Sequence, residues 1–270
     1  MLKGALRVVT EPRAVAIFLA DLAEEDFRRR MSAASDYRDG LPTVEIASLC
    51  GTIDEIVDPY AFLEGGSSTL DLALLKALAR RFRDCRYLEI GTWRGESVAN
   101  VATVAANCVS VSLSDDQLRA MGWSEPVVRV ARFFSRGLPN VMHIGGDSES
   151  LDWKPFEGRC DLVFVDGDHS YEAVRSDTRN AFRLLRDGKS IVVWHDYCRT
   201  PEKGIRWDVL AAILDGAPSD ARAHLYHVSN TQCAIYIRAS LPTKRVSFPM
   251  VPTTQFRVRV QSFPIANSGA

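Results

Sequence analysis

The sequence predicts a doubly wound α/β fold with a mostly parallel sheet, and three observations carry that prediction. Short apolar runs recur at 86–90, 108–113, 140–144, 160–165 and 190–194, the spacing expected of strands in series. The segments between them are long enough for crossover helices. Several runs are apolar on both faces, as strands are when helices cover the sheet from both sides.

In chain order, residues 1–60 read as a helical arm or lid. "PRAVAIFLADLAEEDFRRRM" has helical spacing, and "SDYRDGLPT" supplies Asp, Gly and Pro breakers, so this part is a lid, a packing arm or a dimer contact. Arg28, Arg29 and Arg30 follow Glu24, Glu25 and Asp26 and read as the solvated end of that helix. In "EGGSSTLDLALLKALARRF", Ser67, Ser68 or Thr69 caps a helix whose C-terminal end carries Arg80, Arg81 and Arg83, favourably placed for the helix dipole. The main domain spans 61–240 and holds the five runs. It closes with an antiparallel hairpin, 223–229 and 231–238, turning near Asn230. Residues 241–270, with Pro242, Pro249, Pro252 and Pro264 around "QFRVRVQ", read as an extended arm with one exposed strand.

The run 160–165 ends in "VDGDHSYE" and the run 190–194 in "VVWHDY". Charge at the rim of an apolar core costs free energy unless it is partnered. Parallel strands present their C-terminal ends on one edge, so Asp166, Asp168 and His169 are expected to face His195 and Asp196 there. Such a cluster suits metal binding or proton transfer. Farther along the next helix, Asp177 and Arg179 read as its solvated face. His143, His224 and His227 lie within predicted strands and read as structural, and Trp93 and Trp194 as core or pocket walls.

"YLEIGTWRGESVANVA", 87–102, reads as strand, glycine turn and helix start. Its spacing is GxxxG, not the GxGxxG of dinucleotide binders, and no phosphate-loop Lys follows. Gly91 and Gly95 permit close backbone approach, and Glu89, an acid within an apolar strand, can meet a cationic amino group or be hydrogen-bonded locally. "EIGTWRGES" resembles motif I of the class I S-adenosylmethionine-dependent methyltransferases, in the variant of the catechol, caffeoyl-CoA and macrocin-type O-methyltransferases. The likeness spans about 60–238 and implies a seven-stranded Rossmann-like sheet.

The resemblance implies roles residue by residue. Glu89 and Gly91 would lie against the methionine part of S-adenosylmethionine, with Thr92, Gly95 and Ser97 lining the turn. The acid that ends the second strand in the family is Ser112 here, which leaves Asp115 as the substitute contact to the ribose. Gly146, Asp147 and Ser148 of "GGDSES" would form the adenine-side loop. Asp166, His195 and Asp196 occupy the family's metal positions, and Asp168 or His169 the position of the base. An imidazole where relatives have a carboxylate or amide weakens the case for magnesium or points towards manganese or iron, and the divalent metal the resemblance allows is magnesium or manganese. A metal-free site, with the histidines in acid–base work, is the competing reading.

The implied function is O-methylation of a small hydroxyl-bearing acceptor, a sugar or natural-product scaffold. The alternatives are a catalytically silent scaffold of the same fold or a cephalosporin-hydroxylase-like enzyme. The balance of 33 basic and 34 acidic residues gives no case for a nucleic-acid partner. Six scattered cysteines without a CxxC pair suggest reduced thiols, and no long apolar run suggests a signal peptide or membrane span, so a cytoplasmic protein is expected. The terminal arms make a homo-oligomer the expected assembly.

Overall fold

A computed structural model describes residues 12–33, 35–200, 203–245 and 251–265. Part of the sequence-read N-terminal arm, residues 1–11, and Pro249 in the C-terminal arm lie outside them. The chain opens with α1 (Pro12–Ala33), then β1 (Thr43–Val44), α2 (Ile46–Cys50) and α3 (Thr69–Ala79). The alternating series follows: β2 (Arg86–Ile90), α4 (Glu96–Ala102), β3 (Asn107–Ser112), α5 (Asp115–Ala120), α6 (Glu125–Val130), β4 (Val141–Gly145), β5 (Leu162–Val165), α7 (Tyr171–Leu184) and β6 (Ile191–Trp194). It ends with β7 (Cys198–Thr200), β8 (Lys203–Ile205), α8 (Trp207–Gly216), β9 (Leu225–Val228), β10 (Ala234–Tyr236) and β11 (Thr243–Lys244).

The main sheet runs β11-β1-β9-β10-β6-β5-β2-β3-β4. Its centre, from β4 to β6, is parallel, and β10 enters antiparallel between β6 and β9. The seven strands from β9 to β4 are those the sequence predicts. The sheet draws two more short strands, β1 and β11, from the flanking arms. A separate ribbon pairs β7 with β8.

Period-two burial explains the double winding. Leu88 and Ile90 join Val163, Val165, Val192 and Trp194 on the face covered by α7 and α8. Tyr87, Leu162, Phe164, Ile191 and Val193 point the other way, onto Leu74, Leu75 and Leu78 of α3 and Val98 and Val101 of α4. Helix α3 begins at Ser68, the middle of the three candidate caps, whose hydroxyl accepts from Asp71 N–H while the Asp71 carboxylate accepts from Ser68 N–H at 2.7 Å. Helix α1 packs outside α8, where Arg30 reaches Asp215 at 2.9 Å and Phe27 stacks on Tyr171.

Two expectations need correction. Residues 251–265 form no strand: "FRVRV" alternates as a strand would, but this segment pairs with no strand among the described residues and is exposed along almost its whole length. Asp177 is buried rather than solvated, since the α7 face carrying Asp177, Thr178 and Ala181 turns inward while Arg179 stays exposed.

Candidate active site

The sheet reverses its order between β3-β2 and β5-β6, and ligands of open α/β sheets bind beyond the carboxyl ends of strands at such a point. Backbone packing fixes this crevice. Gly91 has φ +93°, and a Cβ there would lie 2.0 Å from the Asp166 carbonyl oxygen. Gly95 has φ +81°, and its Cβ would lie 2.2 Å from Ser135 Oγ. Both glycines of the GxxxG turn are therefore required by the fold itself, the first because β2 and β5 meet where their chains leave the sheet.

Register does the rest. Ile90 pairs with Val165 and Val165 with Trp194, so the residues that follow, Gly91, Asp166 and His195, stand side by side. A cavity of about 410 Å³ opens above them, lined by Gly66, Ser67, Trp93, Asp166, His169, His195, Asp196 and Gln232, among others. His195 Nδ1 lies 3.1 Å from both Asp166 Oδ1 and Asp196 Oδ2, and His169 Nε2 lies 3.1 Å from Asp196 Oδ2. On the far side, His195 Nε2 faces Asp71 Oδ2 at 3.4 Å. Burial disfavours charge on the His195 ring, but the carboxylates of Asp166, Asp196 and Asp71 outweigh it and hold its pKa well above the ordinary imidazole value. Burial likewise opposes ionisation of Asp196, and the histidines and Arg206 overcome it and lower its pKa.

The structure separates the two candidate bases. His169 lines the cavity. Asp168 is exposed outside that lining, and its Oδ1 accepts from Ser170 N–H at 2.7 Å at the start of α7. Among the described residues, Asp166, His195 and Asp196 form the one group of three suited to a metal, with a ligand atom from each within 4.8 Å of the others. Two oxygens and one imidazole nitrogen fit manganese or iron better than magnesium. Nδ1 stands 3.1 Å from both carboxylates, so a proton on it and a cation held by the same three groups would compete for one place.

The turn residues face inward. Glu89 is fully buried, and it accepts from Tyr87 OH at 2.9 Å and Thr92 Oγ1 at 2.7 Å. Burial raises its pKa to about 7, against the opposing hydrogen bonds of Thr92, Ser97 and Tyr87. The local hydrogen-bonding reading of Glu89 thus describes its present contacts, and neither Glu89 nor Ser97 lines the cavity. Asp115 sits at the first turn of α5, ion-paired with Arg132 and Arg136. Arg132 also donates to Ser112 Oγ at 3.0 Å, so a guanidinium fills the place beside Ser112 where the family has an acid. Asp115, Arg132, Arg136 and His143 line a second recess of about 260 Å³ with Gly145. Gly146, Asp147 and Ser148 follow β4: Gly146 N–H donates to Ser112 O, Asp147 Oδ1 accepts from Glu149 N–H, and Ser148 O accepts from Trp153 Nε1.

Residues missed in the sequence reading are Asp71, Gln232 and Arg132. Asp71 is explained locally by the capping pattern S-T-L-D, which masks any second role. Arg132 lies at φ +61° in a segment with no motif.

Residues 88–197, less than half of the chain, match the family described as a methyltransferase domain. The matched segment includes Gly91, Asp166, His195 and Asp196. An uncharacterized protein, R132, of Acanthamoeba polyphaga mimivirus is 28% identical over 148 residues, 51% of this chain and 65% of its own. Similar solved structures include cofactor-bound Rv0187 from MTB, at 20% identity over 85% of this chain and 99% of that one, with TM-score 0.44. The SAH-bound methyltransferase PaMTH1 of Podospora anserina is 20% identical, covering 65% and 80%, with TM-score 0.45. The O-methyltransferase TomG of Streptomyces achromogenes, solved with SAM, is 16% identical, covering 64% and 82%, with TM-score 0.42. The chain spans 65% of the viral relative's length and half the length of some matched structures.

Proposed function

We propose that this protein transfers a methyl group from S-adenosylmethionine to a hydroxyl of a small polar acceptor, a sugar or natural-product scaffold. The observation that carries the reading is the convergence of Asp166, His195, Asp196 and His169 on one cavity at the sheet's switch point, beside the turn 91–97 of the methyltransferase domain. A sulfonium is already an activated methyl donor, so the protein's task is to align an oxygen with it and remove that oxygen's proton. The acidic, largely polar lining suits a hydroxylated acceptor. Asp166 and Asp196 orient it, and His169, held by Asp196 at 3.1 Å, is placed to take the proton. A divalent cation held by Asp166, His195 and Asp196 would lower the acceptor hydroxyl's pKa and fix its direction. Trp93, at the cavity mouth, can shield the sulfonium through its ring face.

The test is transfer of labelled methyl from S-adenosylmethionine, with manganese present, into small molecules of a cell extract and a panel of glycosides and phenols. Labelled acceptor that disappears with Asp166→Asn supports the reading. Cofactor binding without any labelled product would favour a silent scaffold. The imidazole among the metal-type ligands also admits a hydroxylase-like reading, which oxygen consumption dependent on ferrous iron would favour instead.

A further inference from the structure

His195 presents its ring nitrogens to opposite sides. Nδ1 faces the cavity and the carboxylates of Asp166 and Asp196, while Nε2 faces Asp71, which lies outside the lining of that cavity and is completely buried. Asp71 is held from three directions. Its Oδ2 accepts from Ser68 N–H at 2.7 Å at the start of α3, and its Oδ1 accepts from Gln232 N–H at 3.0 Å and Cys233 Sγ–H at 3.5 Å at the β9–β10 turn. A carboxylate fixed by backbone donors on two elements has little freedom to rotate, and its remaining acceptor position is aimed at Nε2.

We propose that Asp71 is a positioning residue that keeps a proton on His195 Nε2 and so commits the cavity-side Nδ1 to binding a cation. The inference rests on the reading that Asp166, His195 and Asp196 hold a metal. An unconstrained neutral imidazole exchanges between two tautomers, and only the one with a bare Nδ1 can offer a lone pair to the cavity. A charge-assisted hydrogen bond at Nε2 selects that tautomer and sets the ring plane, as partners behind metal-binding histidines do. Replacement of such partners typically weakens metal affinity by about 10–100-fold.

Asp71 also closes the capping box of α3, so the test must separate positioning from stability. Manganese alone is titrated into the full-length protein, read by electron paramagnetic resonance, for wild type, Asp71→Asn and Ser68→Ala. Ser68→Ala breaks the same capping box without touching His195. The expected result is manganese affinity about 10–100-fold weaker in Asp71→Asn and within threefold of wild type in Ser68→Ala, at comparable losses of thermal midpoint. Equal affinity of Asp71→Asn and wild type would overturn the inference and leave the metal site standing. A wild type that binds no manganese would overturn both. If Asp71→Asn does not fold, the wild type decides, in ¹⁵N-histidine NMR spectra with zinc as a diamagnetic probe. Metal at Nδ1 with a protonated Nε2 upholds the assignment, and metal at Nε2 contradicts it.

Discussion

In the proposed reaction the chemistry turns on Asp166 and His169. Asp166→Asn is expected to lower turnover by at least about 100-fold while cofactor affinity stays within threefold, because the proposed reaction assigns Asp166 to the acceptor. Calorimetric titration beside steady-state rates separates the two, and a parallel loss of cofactor affinity would show that Asp166 belongs to the cofactor's half of the site. His169→Gln is expected to cost about 10²–10⁴-fold in kcat, and Asp168→Ala little in rate but about 1 kcal/mol in stability, because it removes the oxygen that accepts from Ser170 N–H at the start of α7. Asp177 gives a pH test unrelated to catalysis. Burial lifts its carboxyl to about 6, helped by the nearby charges of Glu149, Asp147 and Asp168 and opposed by Ser148. A folded pKa above the unfolded one means a contribution to stability that is full near pH 4 and lost as pH rises through about 6. Asp177→Asn is therefore expected to gain on wild type by up to about 3 kcal/mol at pH 8 and by little at pH 4, as read from urea unfolding. Unfolding curves that stay parallel across that range would refute this account of Asp177.

Elements place these residues, and here sequence and structure can be compared. The runs ending in Asp166 and His195 were legible because parallel strands bring their C-terminal ends together, which needs only hydrophobic pattern and crossover length. The turn at Gly91 was legible as a close approach, but what approaches it, the carbonyl of Asp166, was not, since that contact joins segments 75 residues apart in sequence. Asp71 was invisible because its helix cap accounts for it locally and its second partner comes from β6. Arg132 beside Ser112 was unreadable for the same kind of reason: it answers a missing acid from 20 residues downstream. The exposed "FRVRV" shows the opposite failure, a strand pattern that pairs with no strand among the described residues. Gly91→Ala, whose Cβ would enter the space of the Asp166 carbonyl, is expected to separate β2 from β5, lowering the thermal midpoint by several degrees and removing cofactor binding together. A variant of wild-type stability would show that this junction yields easily.

At the scale of the whole molecule, one mostly parallel sheet with helices on both faces carries a polar crevice at its strand ends, and the flanking arms add helices α1 and α2 and the short strands β1 and β11. No helix among the described residues is long and apolar enough to cross a membrane. The crevice brings the turn 91–97 next to the Asp166, His195 and Asp196 group, and methyl transfer is the proposed reading because it uses both. Loading of the metal position is expected to be pH-dependent, since a cation must displace the proton that the carboxylates hold on His195: manganese affinity should rise about tenfold per pH unit while that ring is still protonated. A pH-independent affinity would place the metal away from His195. The central claim is tested most directly by titrating the pure protein with S-adenosylmethionine in a calorimeter. The account expects saturable binding of one cofactor per chain, retained in Asp166→Asn, and no heat of binding at millimolar cofactor would contradict it.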